Sequence, residues 1–412
     1  MKDRALRAIA ECRLIATMSE EPHRTTRRFL TPPMHDVHRH LQARMHELGM
    51  TTSVDGAGNM HGMLQPAGTP GKRLILGSHL DTVPDAGAFD GVLGVILGIE
   101  WVALARDLEL PIPIEVVAFS EEEGVRFGAP FLGSRATAGV FDSGLLAAVD
   151  SQGVRMADAI RAFGIDPATI DDAGVGKDVF GFIEIHIEQG PVLEGVNLPL
   201  AVVEGIVGQS RLELQFTGEA NHAGSTPMHL RRDALAAAAE WITAVESSVR
   251  NAVLRQEAGL VATVGHIELE PNAENVIPGL VRATLDVRHM DSQVRSQWSA
   301  ELVRIASSIA ARREIGFTFT QRLDQREVKM DAYLSSCLLD ALGAAGYPLM
   351  TMPSGAGHDA MIMAAKVPSA MLFLRSLRGI SHNPAESVLA DDVEAALNVG
   401  REFLLRIAED FG

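Results

Sequence analysis

Cysteine is scarce in this sequence: only Cys12 and Cys337 occur among 412 residues. Two cysteines cannot form a disulfide framework, and they are too few for a thiolate-rich metal site. Any metal ligands must therefore come from histidine and carboxylate side chains. The scarcity of cysteine also predicts a reducing, cytoplasmic environment.

Basic charge is also in short supply. The chain has 36 Lys and Arg residues against 53 Asp and Glu residues, which gives a formal net charge of -17. Partners rich in phosphate require a surplus of basic residues, so the composition predicts neither a nucleic-acid partner nor an anionic membrane partner. No uninterrupted apolar run approaches the roughly 20 residues that span a bilayer. The N-terminal residues mix charged and apolar types and do not resemble a signal peptide.

The length indicates two domains, because one hydrophobic core seldom supports 412 residues. A first candidate site lies in the run LILGSHLDTVPDAGAFDGVLG. Its opening residues, Leu74–Leu76, are typical of a buried strand, and Val92–Leu104 is spaced like a helix that packs on a sheet. His79, Asp81 and Asp90 lie between them, at the place where open α/β sheets carry their chemistry. This cluster predicts a metal site, although a polar turn with one capping aspartate would also fit.

Two further apolar strands end in side chains of the same kinds. Ile114–Phe119 is followed by the three carboxylates Glu121–Glu123, and Phe180–Ile185 delivers His186. Adjacent carboxylates repel one another unless a cation or protons accompany them. A later strand, Ala370–Leu374, precedes a loop that contains His382. The repetition favours a metal site at one sheet edge over a set of unrelated polar turns.

The middle of the chain has a different pattern, strand-helix-strand-strand-helix-strand. This order predicts a separate four-stranded sheet with two helices on one face. The predicted elements are Ser210–Phe216, Asp233–Val249, Leu260–Leu269, Leu280–Arg288, Ser292–Arg312 and Gly316–Arg322. The predicted fold class is therefore α/β, with a mixed-sheet catalytic domain formed by residues 1–208 and 323–412. An α+β, ferredoxin-like domain, residues 209–322, is inserted into it.

Six motifs in order, GSHLDT, FDG, EEEG, EIHIEQG, SGAGHD and GISHNPAE, resemble those of a known family. It is the amidase branch, or hydantoinase/carbamoylase branch, of the co-catalytic dinuclear metallopeptidases. The resemblance covers nearly the whole chain and extends to RRFLTP at Arg27–Pro32 and to VEGIVGQSRL. It implies a phosphorylase/hydrolase-like catalytic domain and gives the inserted domain the role of a lid or dimerisation domain.

The resemblance also implies two divalent metal ions per subunit. His79 and His186 would bind one ion, Glu123 and His382 the other, and Asp90 would bridge them. Asp81 would accept a hydrogen bond from the far nitrogen of His79, and Glu122 would be the general base. These ligands suit Mn²⁺, Zn²⁺, Co²⁺ or Ni²⁺, and the resemblance favours Mn²⁺.

The same resemblance assigns substrate-binding residues: Gln189, His222, Asn275, Arg288, Gly357 and His358. The planar guanidinium of Arg288 suits a substrate carboxylate, although a charge at a strand end can also be a simple surface residue. His222 would polarise the oxyanion and would come from the other subunit of a homodimer. Gly357 and His358 lie in a loop whose backbone N–H groups could meet the ligand.

The expected substrate is a small ureido carboxylate, with allantoate as the first choice and ammonia, CO2 and ureidoglycine as the products. The alternatives are N-carbamoyl-L-amino acids, ureidoglycolate and β-ureidopropionate. A dinuclear peptidase or deacylase is more remote, because such enzymes usually have another carboxylate where His186 stands. A binding protein without activity is disfavoured, because Glu122 and all five ligand positions are present.

Overall fold

The computed structural model describes residues 1–68, 71–255 and 258–411. The α-helices are α1 Lys2–Ala16, α2 Pro32–Glu47, α3 Val92–Asp107, α4 Leu132–Thr137, α5 Met156–Ala162, α6 Val192–Gly195, α7 Ala234–Arg255, α8 Ser292–Arg312, α9 Ala332–Ala344, α10 Asp359–Met363 and α11 Ala390–Phe411. The strands are β1 Thr51–Val54, β2 Met60–Leu64, β3 Arg73–His79, β4 Ile114–Phe119, β5 Val179–Ile187, β6 Leu200–Ile206, β7 Gly208–Thr217, β8 Asn221–His222, β9 Val261–Glu270, β10 Val276–Ile277, β11 Leu280–His289, β12 Gly316–Gln325, β13 Val328–Lys329, β14 Thr351–Ser354 and β15 Ser369–Leu374.

The chain forms two compact units. The larger one contains residues 1–204 and the residues from 329 onward, and the smaller one contains residues 205–328. The larger unit has a mixed sheet in the order β1-β2-β4-β3-β5-β15-β6-β13, and β14 also pairs with β6. Strand β3 runs parallel to β4 and β5, and β15 runs parallel to β5, whereas β2 and β6 are antiparallel to their neighbours β4 and β15. The predicted mixed sheet is confirmed.

The central strands are apolar on both faces because both faces are covered. Every residue of β4, β5 and β15 is buried, as expected for parallel strands inside an α/β unit. Helix α3 is buried along nearly its whole length, since it packs on β3, β4 and β5 and also contacts α1 and α11. A helix that is apolar all round belongs in such an interior layer.

The smaller unit contains an antiparallel sheet in the order β12-β7-β11-β9. Alternate residues of β7 and β11, among them Leu214, Phe216, Val281 and Ala283, are fully buried in a core shared with α7 and α8. The chain order β7, α7, β9, β11, α8, β12 is the predicted one. Its role as a lid or dimerisation domain stays a prediction.

Some short elements differ from the sequence prediction. Asn221 and His222, for which the sequence predicts no strand, form β8, which pairs with β10. Strands β6, β13 and β14 were not predicted; β13 and β14 have only two and four residues, too few to show a period. Among the described residues, none of the helices has both the length and the apolar character needed to cross a bilayer.

Candidate metal centre

The predicted ligands of the larger unit come together at one edge of its sheet. His79 is the last residue of β3, Glu123 follows the end of β4, and His186 is the penultimate residue of β5. His382 lies in the loop after β15. Because these strands are parallel neighbours, their carboxyl ends meet at the same edge. The sheet topology therefore brings together residues that are up to 303 positions apart in sequence (382 − 79).

Asp90 lies at the centre of this group. One of its carboxylate oxygens is 3.2 Å from His186 Nε2 and 3.9 Å from His79 Nε2. The other oxygen is 3.2 Å from His382 Nε2, which is itself 3.3 Å from a Glu123 oxygen. Two ligand groups thus share Asp90: His79 with His186 on one side, and Glu123 with His382 on the other.

The two imidazole rings beside Asp90 present their free nitrogens to a common point. His79 Nδ1 lies 3.0 Å from the backbone oxygen of Asp81, and His186 Nδ1 lies 2.9 Å from that of Ile187. A carbonyl can only accept, so each Nδ1 carries a hydrogen, and each ring in its neutral form leaves Nε2 as a lone-pair donor. The two Nε2 atoms are 3.4 Å apart. Two imidazoles on one tetrahedral ion would have about this spacing, so the pair fits a shared metal.

Asp81 supports the centre in a different way from the one predicted. Its carboxylate accepts hydrogen bonds from the backbone N–H groups of Glu122 and Glu123, at 2.9 and 3.1 Å. The nearest carboxylate oxygen is 3.7 Å from His79 Nδ1, which is too long for a hydrogen bond. The carbonyl of Asp81 therefore sets the His79 tautomer, and its carboxylate fixes the acidic loop.

The carboxylates of this centre carry more negative charge than its histidines can balance. Burial lowers the pKa of His79, but the nearby carboxylates of Asp81 and Asp90 outweigh burial and bring this pKa to about 9. Burial raises the pKa of Glu123 to about 7. Burial lowers the pKa of His186 to about 4, so that ring stays neutral and able to coordinate. A cation bound here would compensate the surplus of negative charge.

Glu122 lies beside the ligands and is buried. Burial raises its pKa well above the usual range, and the carboxylates of Asp359, Glu123 and Asp81 raise it further. One of its oxygens lies within 4.8 Å of ligand atoms of His79 and Glu123. A carboxylate with an increased proton affinity next to the ligands fits the predicted role of general base.

The backbone around the ligands is constrained. Gly91, the N-cap residue of α3, has a φ of +66°, and a Cβ there would lie 2.5 Å from the His79 ring. Gln189 and His382 are not glycines, yet they have φ values of 58° and 55°. Such left-handed conformations in non-glycine residues are concentrated at functional sites.

The predicted substrate residues of the larger unit differ in their surroundings. Gln189 donates from Nε2 to Asp90, at 3.1 Å from each carboxylate oxygen, and so belongs to the centre. The His358 side chain is buried and hydrogen-bonded to Ser354 at 2.9 Å, and its ring lies 4.5 Å from that of His186. A Cβ at Gly357 would lie 2.9 Å from the Phe131 ring. Contact between this loop and a substrate remains a prediction.

The remaining predicted substrate residues belong to the smaller unit. His222 is exposed, and its Nδ1 accepts hydrogen bonds from the backbone N–H groups of Gly224 and Ser225. The backbone oxygen of Asn275 accepts from the N–H of Ala223 at 2.9 Å. Arg288 donates to Asp286 at 2.9 Å. Their roles in binding stay predictions.

Sequence reasoning missed three buried carboxylates near the ligands: Glu184, Asp359 and Glu386. Glu184 accepts from the Ser78 hydroxyl and the Ala360 N–H. Burial raises the pKa of Asp359 to about 7. Burial also raises the pKa of Glu184, and repulsion from the Asp359 carboxylate raises it further, to about 8. All three lie within motifs that were recognised, but a motif shows that a residue belongs to the site and does not show what it contacts.

Comparisons with known proteins agree with this geometry. Residues 75–409 match peptidase family M20/M25/M40. An allantoate deiminase from Arabidopsis thaliana is 38% identical, over 96% of this chain and 81% of that protein. An N-carbamoyl-L-amino acid amidohydrolase from Geobacillus stearothermophilus is also 38% identical, over 86% of each chain. A crystal structure of a hydantoinase/carbamoylase family amidase from Burkholderia multivorans superposes with a TM-score of 0.90 at 32% identity, over 98% of each chain.

The chain therefore belongs to peptidase family M20/M25/M40. Within that family its relatives at this level of identity are amidohydrolases that act on C–N bonds, and they include allantoate deiminases and N-carbamoyl-L-amino acid amidohydrolases. The resemblance to the amidase branch, which was based on six motifs, is confirmed.

Proposed function

We propose that this protein is a metal-dependent hydrolase that cleaves a ureido C–N bond of allantoate. The observation that carries the proposal is the pair of ligand groups that share Asp90, with Glu122 beside them. The allantoate deiminase from Arabidopsis thaliana, 38% identical over 96% of this chain, supports the choice of substrate. We infer that the products are ammonia, CO2 and ureidoglycine.

We infer that the centre holds two divalent ions. His79 and His186 would hold one, Glu123 and His382 the other, and Asp90 would contribute to both. Neutral imidazoles and carboxylates accept several first-row metals, of which Mn²⁺ is favoured and Zn²⁺, Co²⁺ and Ni²⁺ are the alternatives. When bound, such ions polarise a carbonyl and make a water molecule more acidic, which a resonance-stabilised ureido group requires.

The chain's own residues complete the reaction. Glu122 takes the proton of the attacking water on a carboxylate oxygen and returns it to the leaving nitrogen. Its burial supports this role, because desolvation raises its affinity for that proton. Asp81 holds the backbone of Glu122 in place through its 2.9 Å hydrogen bond.

The residues that we propose for substrate recognition belong to the smaller unit. Arg288 and Asn275 would bind the substrate carboxylate, and His222 would donate to the developing oxyanion. Supporting observations are the exposure of His222 and the position of Arg288 near the end of β11. We also propose that the protein is a homodimer in which His222 serves the other subunit. A cytoplasmic location remains a prediction from the scarcity of cysteine.

The second candidate substrate class is the N-carbamoyl-L-amino acids. The Geobacillus stearothermophilus amidohydrolase and the Arabidopsis thaliana deiminase are both 38% identical to this chain, so percentage identity does not favour either substrate, although the deiminase matches 96% of the chain and the amidohydrolase 86%. The polar character of the assigned residues favours allantoate, which has two ureido groups. An apolar amino-acid side chain would need an apolar wall, and none is found among the assigned residues.

A substrate panel distinguishes the two candidates. Ammonia release would be measured with Mn²⁺-loaded protein from allantoate, N-carbamoyl-leucine, ureidoglycolate and a dipeptide. We expect kcat/KM for allantoate to exceed that for N-carbamoyl-leucine by about a hundredfold or more. The reason is that N-carbamoyl-leucine lacks the second ureido group, so the polar groups that bind it would be left without hydrogen-bond partners. Equal or faster turnover of N-carbamoyl-leucine would assign the protein to the second class and leave the metal chemistry intact.

A further inference from the structure

Glu386 connects the loop that carries His382 to the backbone of Asp90. It lies four residues after His382, and its side chain is buried, with 6% of the residue exposed. One carboxylate oxygen accepts hydrogen bonds from the backbone N–H groups of Phe89 and Asp90, at 2.8 and 3.1 Å. These contacts join segments that are almost 300 residues apart in sequence.

The other oxygen of Glu386 faces the residue that precedes His382. Ser381 Oγ lies 3.3 Å from this oxygen and 3.2 Å from a carboxylate oxygen of Asp90. The single hydroxyl hydrogen can be donated to either acceptor. Glu386 therefore contacts the chain on both sides: the backbone that positions Asp90 and the residue next to His382.

The loop gains a second support from this connection, because His382 itself is only partly buried. Its side chain is 47% exposed, and its backbone has a φ of 55°. Glu386 is held firmly by comparison, since it packs directly on the buried Gly87. A Cβ at Gly87 would lie 2.4 Å from both Cβ and Oε1 of Glu386, so only glycine leaves room for this side chain.

We propose that Glu386 is a positioning residue that sets the spacing between Asp90 and His382 and so determines the affinity of the metal that these two ligands share with Glu123. This inference rests on the proposed metal centre. Glu386 acts through the backbone of Asp90 and through Ser381, and it gives no ligand atom itself. Residues that orient ligands in this way typically change metal affinity by about 10- to 100-fold when they are replaced.

The nature of the contact predicts which substitutions matter. In Glu386→Gln the amide oxygen can still accept from Phe89 and Asp90, and the amide nitrogen can donate to Ser381 Oγ. Glu386→Ala removes all of these contacts. If the role depends on hydrogen-bond geometry, the glutamine variant should bind metal like wild type. If it depended on the negative charge, glutamine would behave like alanine.

The chain offers a matched control. Glu188 is also 6% exposed, and its carboxylate also accepts from two backbone N–H groups, those of Val192 and Leu193. These contacts stay within one local segment and do not join two ligands. Glu188→Ala therefore removes equivalent hydrogen bonds without loosening the connection between Asp90 and His382.

The experiment measures Mn²⁺ binding to the metal-depleted full-length protein, with free Mn²⁺ followed by electron paramagnetic resonance and total metal by elemental analysis. We expect wild type, Glu386→Gln and Glu188→Ala to bind two equivalents with similar affinities. We expect Glu386→Ala to bind the first equivalent normally and the second about 10- to 100-fold more weakly. Excess Mn²⁺ should then restore ammonia release. Should Glu386→Ala fail to fold, Gly87→Ala, which displaces the Glu386 side chain, should show the same weak second equivalent.

Three results would overturn the inference: two tightly bound equivalents in both Glu386→Ala and Gly87→Ala, equal weakening in Glu386→Ala and Glu188→Ala, or weakening in Glu386→Gln as large as in Glu386→Ala. A wild-type protein that binds no Mn²⁺ would instead contradict the proposed metal centre itself.

Discussion

At the scale of single residues, the centre depends on main-chain groups as much as on side chains. Backbone carbonyls of Asp81 and Ile187 fix the tautomers of His79 and His186. Backbone N–H groups of Glu122 and Glu123 in turn hold the Asp81 carboxylate. The geometry is therefore prepared by the fold, which lowers the reorganisation needed during the reaction.

Glu122 is the residue whose substitution should separate catalysis from metal binding. We expect Glu122→Gln to keep a metal content near wild type and to lower kcat by about 10²- to 10⁴-fold, the usual contribution of a general base. Glu121→Gln is the matched control, since Glu121 is the adjacent buried acid and accepts instead from the N–H groups of Phe29 and Arg126. Metal content and kcat would be measured for both variants. Loss of metal in Glu122→Gln with only a twofold decrease in kcat would mean that the two roles are misassigned.

At the scale of elements, buried charges connect segments that the hydrophobic core alone would not align. The guanidinium of Arg27 is fully buried and donates to the backbone oxygens of Leu80, Ile15 and Met18. It thereby ties the end of α1 to Leu80, which lies between His79 at the end of β3 and Asp81 in the following loop. The RRFLTP motif thus has a structural role behind the metal centre.

Removal of this guanidinium should destabilise the fold. We expect Arg27→Met to lower the free energy of unfolding by about 3 kcal/mol or more, because it removes the side-chain donor from the backbone oxygens of Leu80 and Met18 and one of the donors from that of Ile15. Arg28→Met is the control, since Arg28 is partly exposed and pairs with Glu20, a contact worth about 1 kcal/mol or less. Urea unfolding of the three proteins tests this difference. Equal stability of the two variants would be inconsistent with the assigned role of Arg27.

A buried histidine with two carboxylate partners should make stability depend on pH. Burial lowers the pKa of His61 in β2, but hydrogen bonds to Asp55 and to Glu115 in β4 outweigh burial and raise this pKa to about 9. Because the pKa of His61 is higher in the folded state, its protonation stabilises the fold. This contribution is fully present when the pH is below the pKa of the unfolded state, about 6.5, and it is lost as the pH rises through about 9. Urea unfolding at pH 6 and pH 9 should therefore show a larger decrease in stability for wild type than for His61→Gln. The same decrease in both proteins would exclude the interaction of His61 with its two carboxylates as the cause.

Elements with a continuous apolar run or a sustained alternation were predictable from the sequence, and the shortest elements were not. The run Val92–Leu104 and the alternating residues of Leu280–Arg288 contain enough apolar positions to identify α3 and β11. Strand β8 has only two residues and exists because β10, more than fifty residues later, pairs with it. Local pattern cannot indicate such a distant partner.

In the candidate site, too, one part was predictable from the sequence and another part was not. The sequence predicted that His79, His186 and the acidic loop lie at one sheet edge, because each comes at or directly after the end of an apolar strand. Their mutual contacts were not predictable: Asp81 uses its carbonyl where its carboxylate was expected to act, and Glu386 had no assigned role. These details depend on the loop backbone, whose left-handed positions at Gln189 and His382 leave no clear signal in sequence.

At the scale of the whole molecule, the proposed homodimer makes a specific prediction about subunit exchange. If His222 serves the active site of the other subunit, mixed dimers of Glu122→Gln and His222→Ala chains contain one site with both groups intact. Each variant alone should be nearly inactive, and mixing after mild dissociation should restore part of the wild-type rate. Size-exclusion chromatography would show the assembly state. A fully active monomer would contradict the prediction.

We propose that catalysis by the whole molecule depends on a dinuclear metal centre built around Asp90. The most direct test is a titration of the exhaustively chelated protein with Mn²⁺, with ammonia release from allantoate followed at each addition. We expect the metal-depleted protein to be inactive and activity to appear as the second equivalent binds. Full activity after chelation, with no metal detected by elemental analysis, would contradict it.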